Sequence, residues 1–234
     1  DRHGRAASVT VEACDMANGY NDYVPAVRQD LDDPNPPAAI WTDADIERHI
    51  NHAIHEYSYW SPLEQVLSGY SLTAGSRRIA LGASDLAGLV SIRAVEYPTD
   101  QWPPAYVQFQ LWGGTLSLWL DGAPAATDPL NVNIYALFSH TVSSSSTTVP
   151  PRDDEAIIAG AVAFAALEYA TKTAGQVNVA GPNAWLRYRD LAQDKAAEFR
   201  GYLQIVRARV TPQRAYAPAE PRQSRFTVEA PWRG

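Results

Sequence analysis

Apolar residues change their spacing twice along this 234-residue chain, and each change marks a switch of secondary structure. After Thr42-Asp43-Ala44-Asp45, which offers a cap and two carboxylates for a helix start, Ile46, Ile50, Ala53, Ile54 and Tyr57 recur at steps of three and four. That spacing predicts one apolar stripe on a helix that runs to about Trp60, where Pro62 stops it. Between 76 and 140 the step becomes two, and 78–81, 89–97, 106–112, 115–120 and 132–138 read as short strands. Helical spacing returns after Asp153-Asp154-Glu155 and again after Pro182-Asn183. The expectation is an α+β chain: a mainly helical bundle with an inserted small antiparallel β region of four or five strands in a meander.

Local chemistry sharpens several boundaries. Pro25 suits the first turn of a short helix with Val27 and Leu31 on one face, ended by Pro34, Pro36 and Pro37. Gly113-Gly114 joins 106–112 to 115–120 as a two-residue hairpin link, because both positions tolerate positive φ. The helix from 153 to about 173 carries seven alanines between Ala156 and Ala170 together with Gly160, so neighbouring helices can approach it closely. Leu191, Lys195, Phe199, Tyr202, Leu203 and Val206 fall along one side of the last helix, completing a helical hairpin. The expected organisation is an N-terminal arm (1–19), a first part of the helical body (20–75), the β region (76–142), the second part of the body (143–209) and a C-terminal arm (210–234). Prolines 212, 218, 221 and 231 forbid a continuous helix in that last arm. Its aromatics alternate with arginines, as in an extended segment that docks on another surface.

Composition narrows the function classes. A net charge of −7 argues against a nucleic-acid reader, which needs a basic face. No membrane span is expected, since the most apolar helix contains Glu168 and suits a core, and no secretory signal is read at the N-terminus. A lone Cys14 forbids an internal disulfide and any multi-cysteine metal site, which fits synthesis in a reducing cytoplasm.

Catalytic, metal and cofactor chemistry is not expected. His49, His52 and His55 stand at steps of three, which sweeps them across about 120° of a helix rather than over one patch. They read as a solvated or interface face. His140 lies near Ser143–Ser146, yet no Gly-x-Ser-x-Gly elbow accompanies it, and phosphate-binding glycine loops are absent from the sequence. The acidic run Asp30, Asp32, Asp33 lacks the pattern of a calcium loop and reads as water-exposed. Trp102, Tyr106, Phe109, Trp112 and Trp119 can cover a small sheet against a subunit, or offer a sugar-stacking platform.

Several phrases together resemble head-to-tail adaptor proteins of long-tailed bacteriophages. The first is Val27-Arg28, Leu31 and Asp33-Pro34, followed by Trp41-Thr42-Asp43-Ala44-Asp45-Ile46 with Ile50-Asn51 and Ala53-Ile54. Later come Val95-Glu96-Tyr97-Pro98, Pro104 with Tyr106-Val107 and Phe109, Thr115-Leu116 with Leu118, and Glu155-Ala156 with Ala159-Gly160-Ala161 and Ala163. The likeness spans about 24–170; the β region is large for such a protein, and 1–19 has no counterpart. The resemblance implies a structural virion protein, not an enzyme, made in the host cytoplasm. It would form a ring, commonly of twelve copies, at the neck beneath the portal protein, and dock the next neck or tail protein. Double-stranded DNA would pass its lumen without specific binding. It further implies that the C-terminal segment inserts against the portal, here with Arg214, Tyr216, Arg222, Arg225, Phe226 and Trp232. Trp112 and Trp119 would then meet a neighbouring subunit or the tail side. The other readings are a stopper or tail-completion subunit and a carbohydrate-binding module.

Overall fold

The computed structural model describes residues 18–33, 39–174 and 184–210. Helices α1 (Tyr20–Leu31) and α2 (Asp43–Trp60) come first. Strands β1 (Leu63–Ser71) and β2 (Arg78–Ala80), a one-turn helix α3 (Ala83–Leu86), and strands β3 (Leu89–Glu96), β4 (Phe109–Trp112), β5 (Thr115–Leu118) and β6 (Asn131–Phe138) follow. Helices α4 (Asp154–Thr173) and α5 (Ala184–Val210) complete the described chain. The class is α+β, as the changes of spacing predict.

α4 is the hub of the helical body, packed by α5, α2 and α1. Its alanines explain how three helices can share one neighbour: Ala159, Ala161, Ala165 and Ala166 are all buried, and small side chains let axes approach. At Gly160 even a methyl is crowded, since a Cβ there would lie 3.0 Å from the Ala53 Cβ and 3.1 Å from the Phe199 ring. By length and apolarity alone 151–173 could cross a membrane, but its faces form the core of the helical body. α2 starts as its sequence predicts: the Thr42 hydroxyl accepts from the Asp45 N–H at 3.2 Å, and Asp45 accepts from the Thr42 N–H at 3.2 Å. Pro25 departs from expectation. It lies inside α1 rather than in its first turn, because the helix begins at Tyr20. That early start depends on a backbone-to-backbone contact: Tyr20 and Asn21 donate to the Ser143 and Ser144 carbonyls at 2.9 Å each. Only glycine fits at position 19, where a Cβ would come within 2.5 Å of the Ser146 nitrogen.

The β region differs from the expected meander. It is two three-stranded antiparallel sheets, ordered β1-β6-β3 and β2-β5-β4, around a separate core that includes Val95, Leu116, Val132 and Ile134. The sheets are joined where Tyr97 donates to the Ala105 carbonyl and Val107 donates to the Val95 carbonyl, both at 2.9 Å, before the chain crosses into β4. The region also starts earlier than predicted, at Leu63 instead of 76, so 63–71 leaves the helical body for the first sheet. The physical reason is that β1 is a sheet edge with mostly exposed side chains, and its register shifts between Leu67 and Tyr70, where Gly69 takes φ +90°. An exposed, bulged strand has no regular period to read.

Candidate interaction surfaces

The hairpin β4–β5 turns through Gly113 and Gly114 at φ +56° and +77°, the left-handed pair that a two-residue hairpin requires. Registry follows from the turn: Trp112 opposes Thr115, Leu111 opposes Leu116, and Phe109 opposes Leu118. Phe109, Leu111, Leu116 and Leu118 therefore face the β core, leaving Trp112 on the other face at 80% exposed. Trp119 follows the end of β5 and is 65% exposed, with its backbone N–H donated to the Gln108 carbonyl. Trp119 follows Thr115, the partner of Trp112, by four residues, so the two backbone positions stand about 13 Å apart along the ribbon. The aromatics do not form one platform, since Phe109 belongs to the core while Trp102 and Tyr106 leave the hairpin for the preceding loop.

A second surface is the open cleft between α2 and α4, lined by Arg48, His49, His52, Phe164, Leu167 and Glu168. Of the three histidines, only His52 and His55 lie on the exposed face expected of them; His49 is 4% exposed. Its Nε2 lies 3.0 Å from Glu168 Oε2, at an angle that makes no hydrogen bond. His52 instead stacks on Phe164 with ring centroids 4.0 Å apart. Glu168 is held by Lys172 and by Arg48, the latter at 2.7 Å, and these two contacts pull its pKa down to about 2. Burial, with the Arg48 charge beside it, lowers the pKa of His49, so the ring is neutral near pH 7. No group of three metal-ligating side chains occurs among the described residues.

Between the two cores His140 acts as a joint. Its backbone N–H donates to the Ser58 hydroxyl at 2.9 Å, Nε2 lies 2.9 Å from the Ser61 carbonyl, and Nδ1 lies 2.9 Å from the Thr148 carbonyl and 3.1 Å from the Thr148 hydroxyl. A neutral ring can donate to only one of these two carbonyls; with Nε2–H donated to Ser61, Nδ1 accepts from the Thr148 hydroxyl. Burial lowers its pKa, which favours that neutral form. The serines beside it in sequence make their own turn, Ser143 with Ser146, and do not meet the imidazole.

Acidic residues play parts that the sequence reading did not assign. Asp33, expected in water, is buried and pairs with Arg28 at 2.6 Å. Arg28 also reaches Asp43 at 2.6 Å and the Trp41 carbonyl at 2.9 Å. Asp30 and Asp32 meet Lys195 and Arg187 of α5 at 2.8 and 3.0 Å. At the head of α4, Asp153 accepts from Tyr57 at 2.9 Å and from Arg209 at 2.6 Å, while Asp154 accepts from Tyr23 at 2.5 Å and Asn18 at 2.7 Å. The adjacent Asp-Asp pair ahead of an alanine-rich helix was the available signal, but its tyrosine partners lie too far away in sequence to be paired by spacing.

The C-terminal residues Arg214, Tyr216, Arg222, Arg225, Phe226 and Trp232, and the N-terminal residues 1–17, lie outside the described residues. No family model matches this chain, and no curated protein sequence matches it either.

Proposed function

We propose that this protein is a head-to-tail adaptor of a long-tailed bacteriophage: a structural subunit that forms a ring beneath the portal protein, extends the DNA channel and docks the next neck or tail protein. The observation that carries the reading is where the resembling residues fall. Val27, Leu31, Trp41, Ile46, Ile50, Ala53 and Ile54 belong to one buried cluster, and Arg28, Asp33 and Asp43 are the ion network that ties α1 to α2. The phrases from 27 to 54, with those of α4, thus share the helical core, while Val95, Leu116 and Leu118 of the later phrases belong to the β core. The outward Trp112 and Trp119 supply apolar area for a neighbouring subunit or the tail side, and aromatics of this kind dominate protein contacts. An acidic balance of −7 suits a lumen that DNA must slide through, because a basic lining would bind phosphates by counterion release. On this reading the C-terminal arm meets the portal, no cofactor is used, and the protein resides at the head–tail interface of the virion.

The test is the mass of the purified protein, alone and mixed with a portal ring from the same phage. A subunit that becomes a defined ring on the portal supports the proposal, with twelve copies expected. A protein that ignores the portal but joins a tail tube is a stopper or tail-completion subunit, and the adaptor reading is then wrong.

A further inference from the structure

The outer edge of β1 is the longest unpaired strand edge among the described residues: β1 hydrogen-bonds only β6, leaving a row of backbone donors and acceptors open along Leu63–Ser71. Such an edge is a template for another strand. On the outer face of that sheet an apolar row reaches the edge, flanked on β1 by Glu64, which pairs with Arg93 at 2.8 Å. Val66 opposes Tyr135, Tyr135 meets Tyr106 with ring centroids 6.0 Å apart, and Val66 remains 51% exposed.

α5 ends near the start of β1. Arg207 lies over the Trp60 ring at 5.3 Å and Arg209 pairs with Asp153 at 2.6 Å, so the chain leaves α5 next to the end of α2, two residues before β1 begins. Beyond it, Arg225-Phe226-Thr227-Val228-Glu229 alternates polar and apolar side chains, with β-branched and aromatic types, between Pro221 and Pro231. The stretch from 211 to 224 can span up to about 45 Å, more than the ~30 Å length of β1. A tether of that length keeps the segment at millimolar effective concentration.

We infer that residues 225–229 add as a strand to the free edge of β1 in the same chain, with Phe226 and Val228 extending the apolar row that ends at Val66. Backbone pairing supplies the affinity and the alternate side chains the specificity. This concerns the subunit before it meets any partner. The experiment below needs no portal, so its failure and the failure of the adaptor reading are distinguishable.

The test is residue-resolved hydrogen exchange of the full chain against two variants, Thr227→Pro and Val228→Pro. Adjacent residues point their N–H groups to opposite sides, so in any register one proline removes a donor aimed at β1. The expected result is that the outward amides of β1 exchange at least about tenfold faster in one variant, while β6 amides keep their protection at every protein concentration. Unchanged β1 exchange in both variants overturns the inference. So does protection that grows with protein concentration, which assigns the strand to a neighbouring copy, or a parallel loss in β6, which makes the arm part of the core.

Discussion

The guanidinium of Arg28 and the carboxylate of Asp33 meet at 2.6 Å with side-chain exposures of 6% and 0%. Asp33 also accepts the Ile40 N–H at 2.7 Å, so one carboxylate fixes both ends of the connection between α1 and α2. A charge so far from water persists only while its partners are in place. Asp33→Ala leaves Arg28 buried with only the more exposed Asp43 to answer it, and should cost about 3–5 kcal/mol of unfolding free energy. Urea denaturation measures this; a loss below about 1 kcal/mol would show that water reaches the arginine.

Gly160 tests the closeness of the helices. Alanine there gains about 1 kcal/mol of helix propensity, but its methyl must push the Ala53 Cβ or the Phe199 ring by a few tenths of an ångström. Overpacking at a site pinched from two sides should prevail, lowering the thermal midpoint by about 2–4 °C. Adding Phe199→Leu to Gly160→Ala should recover part of that shift, because it removes the ring the methyl meets. Full stability of Gly160→Ala alone would mean that α4 and α5 separate without penalty.

How much of this was legible in the sequence depends on whether a feature repeats. α2, α4 and the Gly113-Gly114 hairpin each write their partners into a local period or a turn, and the structure follows them closely. β1 was missed because an edge strand has little burial to impose alternation. The burial of His49 was missed for a different reason: it sits at the margin of the α2 stripe, and its cover, Glu168, comes from α4. Asp153 and Asp154 read as helix-start carboxylates, which they are. Their tyrosine partners are fixed only once α1 and α2 have packed on α4.

His140 sets an acid response. Its folded pKa lies below the ordinary histidine value because burial disfavours the imidazolium. The unfolded chain therefore binds the proton more readily, so stability is complete above about pH 6.5 and falls as the pH drops below it, until the folded pKa is reached. His49 shares this direction. His140→Gln, which keeps polar groups at the joint without a titrating ring, should flatten the dependence between pH 7 and 5. Thermal midpoints across that range measure it, and an unchanged slope would assign the response elsewhere.

Glu168 acts at lower pH. Lys172 first, and then Arg48, hold its folded pKa near 2, against an ordinary value of 4.5. A depressed carboxylate contributes stability above its unfolded pKa and loses it as the pH falls from about 4.5 through 2. Because Lys172 and Arg48 are largely exposed, solvent screening limits the contribution to about 1 kcal/mol. Glu168→Gln should lose about that much at pH 7 and converge with the parent protein near pH 2, and stability curves that stay parallel throughout would refute the coupling.

Trp112 and Trp119 separate assembly from folding. Both indoles are mainly exposed, Trp112 at 80%, and the hairpin core beneath them is made by Leu111, Leu116 and Leu118. Replacing either with alanine should change stability by no more than about 0.5 kcal/mol. If the proposed ring uses this face, the same variants should weaken ring formation or attachment of the next component by at least tenfold, since a desolvated tryptophan at an interface is worth about 2 kcal/mol or more. Mass measurement on assembled rings with each variant decides it. Normal assembly by both would free the hairpin from any contact role, while a large loss of stability would place the indoles in the subunit's own packing.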